Sequence, residues 1–210
     1  MEGVTARWYA RQRGTPSQIA TVRHEAAKLT DAMPSGDVLE VAPGPGYLAI
    51  EIARLGRFHL TGLDISHTMV EISRENARAA GVTVEFRQGD ATEMPFADGS
   101  FDLIVCQAAF KNFRQPVSAL NEMHRVLRPG GRAVIQDLRK EASNSDIDRE
   151  VDNQKLGALS SFFTKRILAW LRSRAYSATR FERLVAESSF KTGEIKADGI
   201  GLEVRLNKLS

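Results

Sequence analysis

At 210 residues, 42% of them hydrophobic, the chain is long enough to bury one sizeable core without disulfide staples or a structural metal. Its formal net charge of +3 suits an anionic partner but is too small to argue for nucleic acid. No stretch approaches the roughly 18 uninterrupted apolar residues of a membrane span, and Met1-Glu2-Gly3-Val4-Thr5-Ala6-Arg7 has no apolar signal core, so the expectation is a soluble, cytoplasmic protein.

From Ala6 to Lys28 the chain carries Arg7, Arg11, Arg13, Arg23 and Lys28 against one acid, Glu25, with Trp8 and Tyr9 ahead of Gly14-Thr15-Pro16-Ser17. A helix from about Ser17 sets Ile19, Val22, Ala26 and Leu29 on one face, and Pro34-Ser35-Gly36-Asp37 breaks it. Two readings stand side by side: a cap over a ligand-binding edge, or a solvated basic helix.

The run Val38 to Ala53 reads as a buried strand, a glycine loop and a helix start. Val38, Leu39 and Val41 suit a parallel strand buried on both faces, and Leu48, Ile52 and Leu55 recur at helical spacing behind the loop. Gly44 and Gly46 let the backbone turn and a ligand approach its N–H groups, while Pro43 and Pro45 stiffen the turn. Glu40 sits near the strand's carboxyl end, where open α/β sheets bind ligands.

A second strand, Phe58 to Leu63, ends on Asp64, where a carboxylate can accept hydrogen bonds from both hydroxyls of a ribose. Ser66 is placed to cap a helix through Met69, Val70, Ile72 and Ser73 that Gly81 ends. A third strand is expected over Val82–Phe86, with Asp90 just past its tip. Phe101 to Cys106 forms a fourth, ending near Gln107, with Cys106 a small core residue suited to a reducing compartment. Pro116 opens a helix presenting Val117, Leu120, Met123 and Leu127, which Arg128-Pro129-Gly130-Gly131 stops before a fifth strand, Ala133-Val134-Ile135. Strands alternating with helices point to an α/β fold, a Rossmann-like, doubly wound, mainly parallel sheet.

Beyond Glu141 acids give way to Lys165, Arg166, Arg172 and Arg174 among Phe162, Phe163, Ile167, Leu168, Trp170 and Leu171, which reads as a helical lid whose apolar residues line a pocket or pack the lid down. Thr179–Ser188 is a further helix, and the alternation in Leu202-Glu203-Val204-Arg205-Leu206 behind Gly199 and Gly201 indicates a terminal antiparallel β-hairpin. One domain over 1–210 is expected, with an N-terminal cap (1–36), a cofactor-binding core (37–139), a helical lid insertion (140–177) and a terminal helix and hairpin (178–210).

Gly44-Pro45-Gly46-Tyr47-Leu48-Ala49 formally meets the dinucleotide pattern G-x-G-x-x-G/A. The wider pattern favours another cofactor. Glu40-Val41-Ala42-Pro43-Gly44-Pro45-Gly46, Gly62-Leu63-Asp64-Ile65-Ser66, Gly89-Asp90-Ala91 and Arg125-Val126-Leu127-Arg128-Pro129-Gly130-Gly131-Arg132 together resemble class I S-adenosylmethionine-dependent methyltransferases, over roughly Val38 to Asp137. One departure is Ala42, where a glycine is usual. The resemblance implies S-adenosyl-L-methionine as cofactor, with Glu40 near its methionine end, backbone around Ala42, Gly44 and Gly46 in contact, and Asp64 on the ribose. It further implies Ile65 against the adenine, Asp90 and Ala91 at the adenine's amino edge, and Gln107 close to the site of methyl transfer. Ala109-Phe110-Lys111-Asn112-Phe113 is similar to the corresponding run in ubiquinone/menaquinone C-methyltransferases, which implies a small aromatic or quinone-like acceptor.

The leading expectation is therefore methyl transfer to a small molecule. The alternatives are an NAD(P)-dependent oxidoreductase, for which no second substrate domain appears, and a non-catalytic S-adenosylmethionine-binding module. RNA is a disfavoured acceptor, since the basic segments lack a stacking platform. No catalytic base stands out: His24, His59, His67 and His124 read as structural or solvent-facing, with Tyr9 able to reach the cofactor if the cap closes. One cysteine and scattered histidines exclude a metal constellation.

Overall fold

The computed structural model describes residues 2–153 and 157–209. Among them, seven strands form one sheet in the order β3-β2-β1-β4-β5-β7-β6. In chain order the elements are α1 (Gly3–Arg13), α2 (Pro16–Thr30), β1 (Gly36–Val41), α3 (Tyr47–Ala53), β2 (Phe58–Asp64), α4 (His67–Ala80), β3 (Glu85–Gln88) and β4 (Phe101–Gln107). A 3₁₀ turn at Phe110–Asn112 leads to α5 (Pro116–Val126) and β5 (Leu127–Leu138), then α6 (Asn144–Asn153), α7 (Ala158–Ser173), α8 (Ala178–Glu187), β6 (Glu194–Asp198) and β7 (Gly201–Asn207). β1 to β5 pair in parallel, and β7 runs antiparallel to both β5 and β6.

Alternation along the central strands explains the layering. Val38, Leu60, Leu103 and Val105 turn to one face, against Leu29, Leu48, Ile52 and Val70, while Leu39, Leu63, Ile104 and Cys106 turn to the other, against Leu120, Met123, Phe181 and Val185. Fully burying a Leu, Val or Ile gains about 1.5–3 kcal/mol, so strands apolar on both faces settle at the centre. The chain leaves β1 toward β2 and later returns to lay β4 on β1's other side, making the gap between the β1 and β4 tips a topological switch point.

Several boundaries differ from the sequence reading. The basic lead-in is two helices, α1 and α2. Leu55 falls beyond α3 and is exposed. The third strand starts at Glu85, because Gly81 closes α4 in a left-handed conformation (φ 68°) and Val82 and Val84 pack on the core while the chain travels to the sheet edge. α5 ends at Val126, and Leu127 already pairs with Phe101, so Arg128-Pro129-Gly130-Gly131 lies in the irregular entry to β5. The arginines around that turn clamp neighbouring segments together. Arg128 binds Asp102 at 2.6 Å and Asp37 at 2.8 Å, and Arg125 binds Asp98, Glu122 and the carbonyls of Met94 and Phe96. The lid segment holds α6 and α7, with residues 154–156 of the expected lid outside the described residues. Phe162, Phe163, Ile167 and Trp170 are more than half exposed, so they do not pack it down.

Gly46 has a packing role as well as a conformational one. Its φ is +78°, and an added Cβ would lie 2.8 Å from both Phe86 Cζ and Ser73 Cβ; Gly81 has open space instead. Gly46→Ala should therefore cost roughly 1–3 kcal/mol and Gly81→Ala about 1 kcal/mol in urea denaturation. Equal losses at both positions would refute the packing account.

Candidate functional site

Two adjoining cavities open over the carboxyl ends of β1, β2 and β4. The wider, about 600 Å³, is lined by Ala42, Ile65, Asp90, Ala91, Asn112 and Phe113 among others. The narrower, about 200 Å³, meets Tyr9, Arg13, Glu40, Gly44, Asp64 and Gln107. Ala42, Ala109 and Asn112 belong to both. Eight of the nine residues singled out in the sequence thus meet at one place: Glu40, Ala42, Gly44, Asp64, Ile65, Asp90, Ala91 and Gln107. Gly46 lies behind the loop, against Phe86 and Ser73, and lines neither cavity.

Glu40 is buried, and its Oε2 accepts a hydrogen bond from the Ala49 amide at 2.9 Å. Ala49 is in the first turn of α3, whose cap residue Gly46 has no side chain to satisfy the free N–H groups, so a carboxyl from the strand does it. Burial pushes the Glu40 pKa up to about 8; the Ala49 bond opposes the rise and nearby Asp64 adds to it.

Asp64 ties two loops together. Its Oδ2 accepts from the Gly44 amide at 3.0 Å and its Oδ1 from the Ser66 amide at 2.9 Å. Burial raises its pKa, with both amide bonds pulling the other way. Ser66 Oγ accepts from the Met69 amide, as an N-cap should. Asp90 Oδ1 accepts from the Thr92 amide and hydroxyl, so it shapes its own turn while bordering the wider cavity. Gln107 Nε2 donates to Gln136 Oε1 at 2.6 Å, and Gln136 Nε2 donates to Glu25 and Glu203, linking the cavity floor to α2. Ala42 and Ala108 both adopt left-handed backbone, φ 57° and 55°.

The cap reaches the site through α1. Ala6 and Ala10 pack on Met69 and Ile72 of α4, and Tyr47 donates to the Ala10 carbonyl at 3.1 Å. Glu2 accepts from the Thr68 amide and hydroxyl at the start of α4, which holds its carboxyl down near 2. This docking brings Tyr9 and Arg13 to the narrower cavity. Arg13, Asn112 and Phe113 were not among the predicted site residues. Only the motif run through Phe113 hinted at the latter two; nothing local to Arg13 distinguishes it from its basic neighbours. His59 points to solvent beside Asp37, His67 lies beside Glu71, His124 stands edge-on to Phe190, and His24 is exposed. No metal-binding group of His, Cys, Asp and Glu exists among the described residues.

Beneath the site, Lys111 Nζ binds Asp137 Oδ1 at 2.7 Å with both side chains buried, and the Lys111 amide donates to Asp137 Oδ2. The pair fixes the loop leaving β4.

The raised Glu40 pKa makes a prediction. The folded protein holds this proton between the ordinary value, 4.5, and about 8, where the unfolded chain has released it, so the group's contribution to stability falls as pH rises across that window. Glu40→Gln keeps an acceptor for Ala49 and removes the titration. It should flatten the decline in urea stability between about pH 5 and pH 8; parallel wild-type and variant profiles would refute the assignment.

Comparison with known proteins agrees with this geometry. Residues 39–135 match the family model described as a methyltransferase domain. The chain is 39% identical over 107 residues to the demethylmenaquinone methyltransferase of Deinococcus radiodurans, covering 50% of this chain and 44% of that one. It is 33% identical over 147 residues to the ubiquinone/menaquinone biosynthesis C-methyltransferase UbiE of Bdellovibrio bacteriovorus, covering 70% and 58%. The chain thus spans about half the length of the curated relatives it matches. A crystal structure of a SAM-dependent methyltransferase from Aquifex aeolicus shares the fold, with TM-score 0.71 at 18% identity over 96% of this chain and 97% of that one. With the glycine loop, the Asp64 tip and the strand order all in place, residues 39–135 carry a methyltransferase domain, and the chain is similar to the class I S-adenosylmethionine-dependent methyltransferases.

Proposed function

We propose that the protein uses S-adenosylmethionine to methylate a small ring acceptor of the hydroquinone class, in the cytoplasm. The observation that carries this reading is the pair of unlike cavities joined at the switch point. In the narrower one, Glu40 suits an ammonium that takes the place of its proton, Asp64 suits the ribose hydroxyls, and Arg13 suits a carboxylate. In the wider one, Ile65 and Ala91 offer apolar walls to a purine, with Asp90 at its edge. A Cβ at Gly44 would project into open space on the loop, so the backbone there can be approached closely. The residues present therefore fit the cofactor.

When bound, the cofactor supplies a methyl group on a positively charged sulfur, open to in-line displacement. The chain's own part is alignment and exclusion of water. Asp64 accepts the ribose hydroxyls while holding the Gly44 loop. Tyr9 and Arg13 close the methionine end. The acceptor lies toward Asn112, Phe113 and Arg114, where one ring stacks on Phe113 and polar groups reach its hydroxyls. The names of the Deinococcus and Bdellovibrio relatives support a quinone-type ring. With the cofactor held there, the electron-rich ring carbon would take the methyl as the carbon–sulfur bond broke, S-adenosylhomocysteine would leave as the neutral thioether, and the ring proton would go to solvent, with no net oxidation.

The test is incubation with S-adenosylmethionine and a reduced naphthoquinol lacking the ring methyl. Equimolar S-adenosylhomocysteine and C-methylated product are expected from the reduced acceptor and none from the oxidised quinone. Asp64→Asn should weaken cofactor binding roughly 10- to 100-fold, the loss of charged hydrogen bonds. Cofactor binding without turnover on any acceptor would overturn the enzyme reading in favour of a binding module. Turnover only on amines or phenolic oxygens would overturn the acceptor class.

A further inference from the structure

Helix α7 is amphipathic in an unusual sense, because its aromatic side faces solvent. Phe162, Phe163, Ile167 and Trp170 are each 54–58% exposed along one side of the helix. The other side is tied down: Lys165 Nζ binds Asp148 at 3.0 Å and Asp152 at 3.1 Å on α6, and Arg172 donates to the Ala142 carbonyl at 2.7 Å. The exposed stripe is therefore what remains after α6 has taken its face. Single exposed apolar residues are ordinary, but four large ones over little more than two turns form a contiguous patch, which marks an interaction surface.

Charge points to the partner. From Gly157 to Phe181 the sequence has no Asp or Glu, while Lys165, Arg166, Arg172, Arg174 and Arg180 fall within it. The Arg166 guanidinium lies 6.0 Å from the Phe162 ring centroid and Arg174 5.4 Å from that of Trp170. Arginines with long apolar stems can cover the rings in water and swing their heads outward to phosphates, as at membrane interfaces. A second copy of this face is the poorer fit, since a symmetric pairing would oppose arginines with no acid among them. We infer that α7 docks flat on an anionic phospholipid surface, with its aromatic stripe at the headgroup level and Arg166 and Arg174 on lipid phosphates. This is peripheral binding, for no helix among the described residues is long and apolar enough to cross a membrane. It stands apart from the methyl-transfer reading, as it is measured by partition and not by turnover.

The chain has two tryptophans, so Trp8→Phe leaves Trp170 as the reporter. With vesicles of equal phosphatidylglycerol and phosphatidylcholine, Trp170 emission should shift to the blue and the protein should co-sediment; pure phosphatidylcholine should capture little. Arg166→Gln and Arg174→Gln should each weaken partition about fivefold, and raised salt should weaken it further. Phe163→Ser should weaken it while leaving S-adenosylmethionine affinity unchanged. Unaltered Trp170 emission with anionic vesicles would overturn the proposal, as would equal binding to neutral ones. So would sedimentation showing a vesicle-free dimer that buries Trp170.

Discussion

One buried carboxylate, that of Asp64, holds the ligand edge in shape. It receives the Gly44 amide from the loop after β1 and the Ser66 amide from the turn into α4, so the tips of two neighbouring strands cannot move independently. The requirement behind it is general: amides leaving a strand end lose their sheet partners and need others if they are to be buried. Glu40 answers the matching need of a helix start, at the Ala49 amide in the first turn of α3. Both acids are withdrawn from water by roles internal to the protein. Both also border the narrower cavity.

The central part of the molecule was legible in the sequence because its rules are local. A doubly apolar strand, a glycine loop and a helix with Glu40 and Asp64 at the strand tips all follow from spacing within a few residues. The errors fall where distant contacts decide. Val82 and Val84 have strand character, yet the pairing with β2 begins only at Glu85. The aromatic residues of α7 read as lining a pocket or packing the lid down because periodicity reveals a face but not its neighbour. Arg13 looks like any cap arginine until α1 lies down on α4. The phrase Arg125–Arg132 was recognisable as a family mark, and its physical reason, arginines clamping the entries to β1 and β4, emerges only in three dimensions.

The loop leaving β4 rests on a buried ion pair. Lys111 and Asp137 form a buried pair that repays its desolvation only through close geometry and added hydrogen bonds, here from the Lys111 amide and to the Ala108 carbonyl. Beside it, Gln107 begins a chain through Gln136 to Glu25 of α2 and Glu203 of β7. The cap and the cavity floor are consequently parts of one network. A shift of α2 on the sheet would change the orientation of the Gln107 amide, which borders the narrower cavity.

Ala42 and Ala108 stand at the tips of β1 and β4 with left-handed backbone, on either side of the cleft. For an alanine that conformation costs about 1–2 kcal/mol relative to ordinary backbone, a strain glycine would not feel. A glycine at either position would relax the chain and widen the cleft by one methyl group in the same step. Backbone strain and cleft width thus meet at the same two side chains, so one substitution at either would relieve the first and enlarge the second.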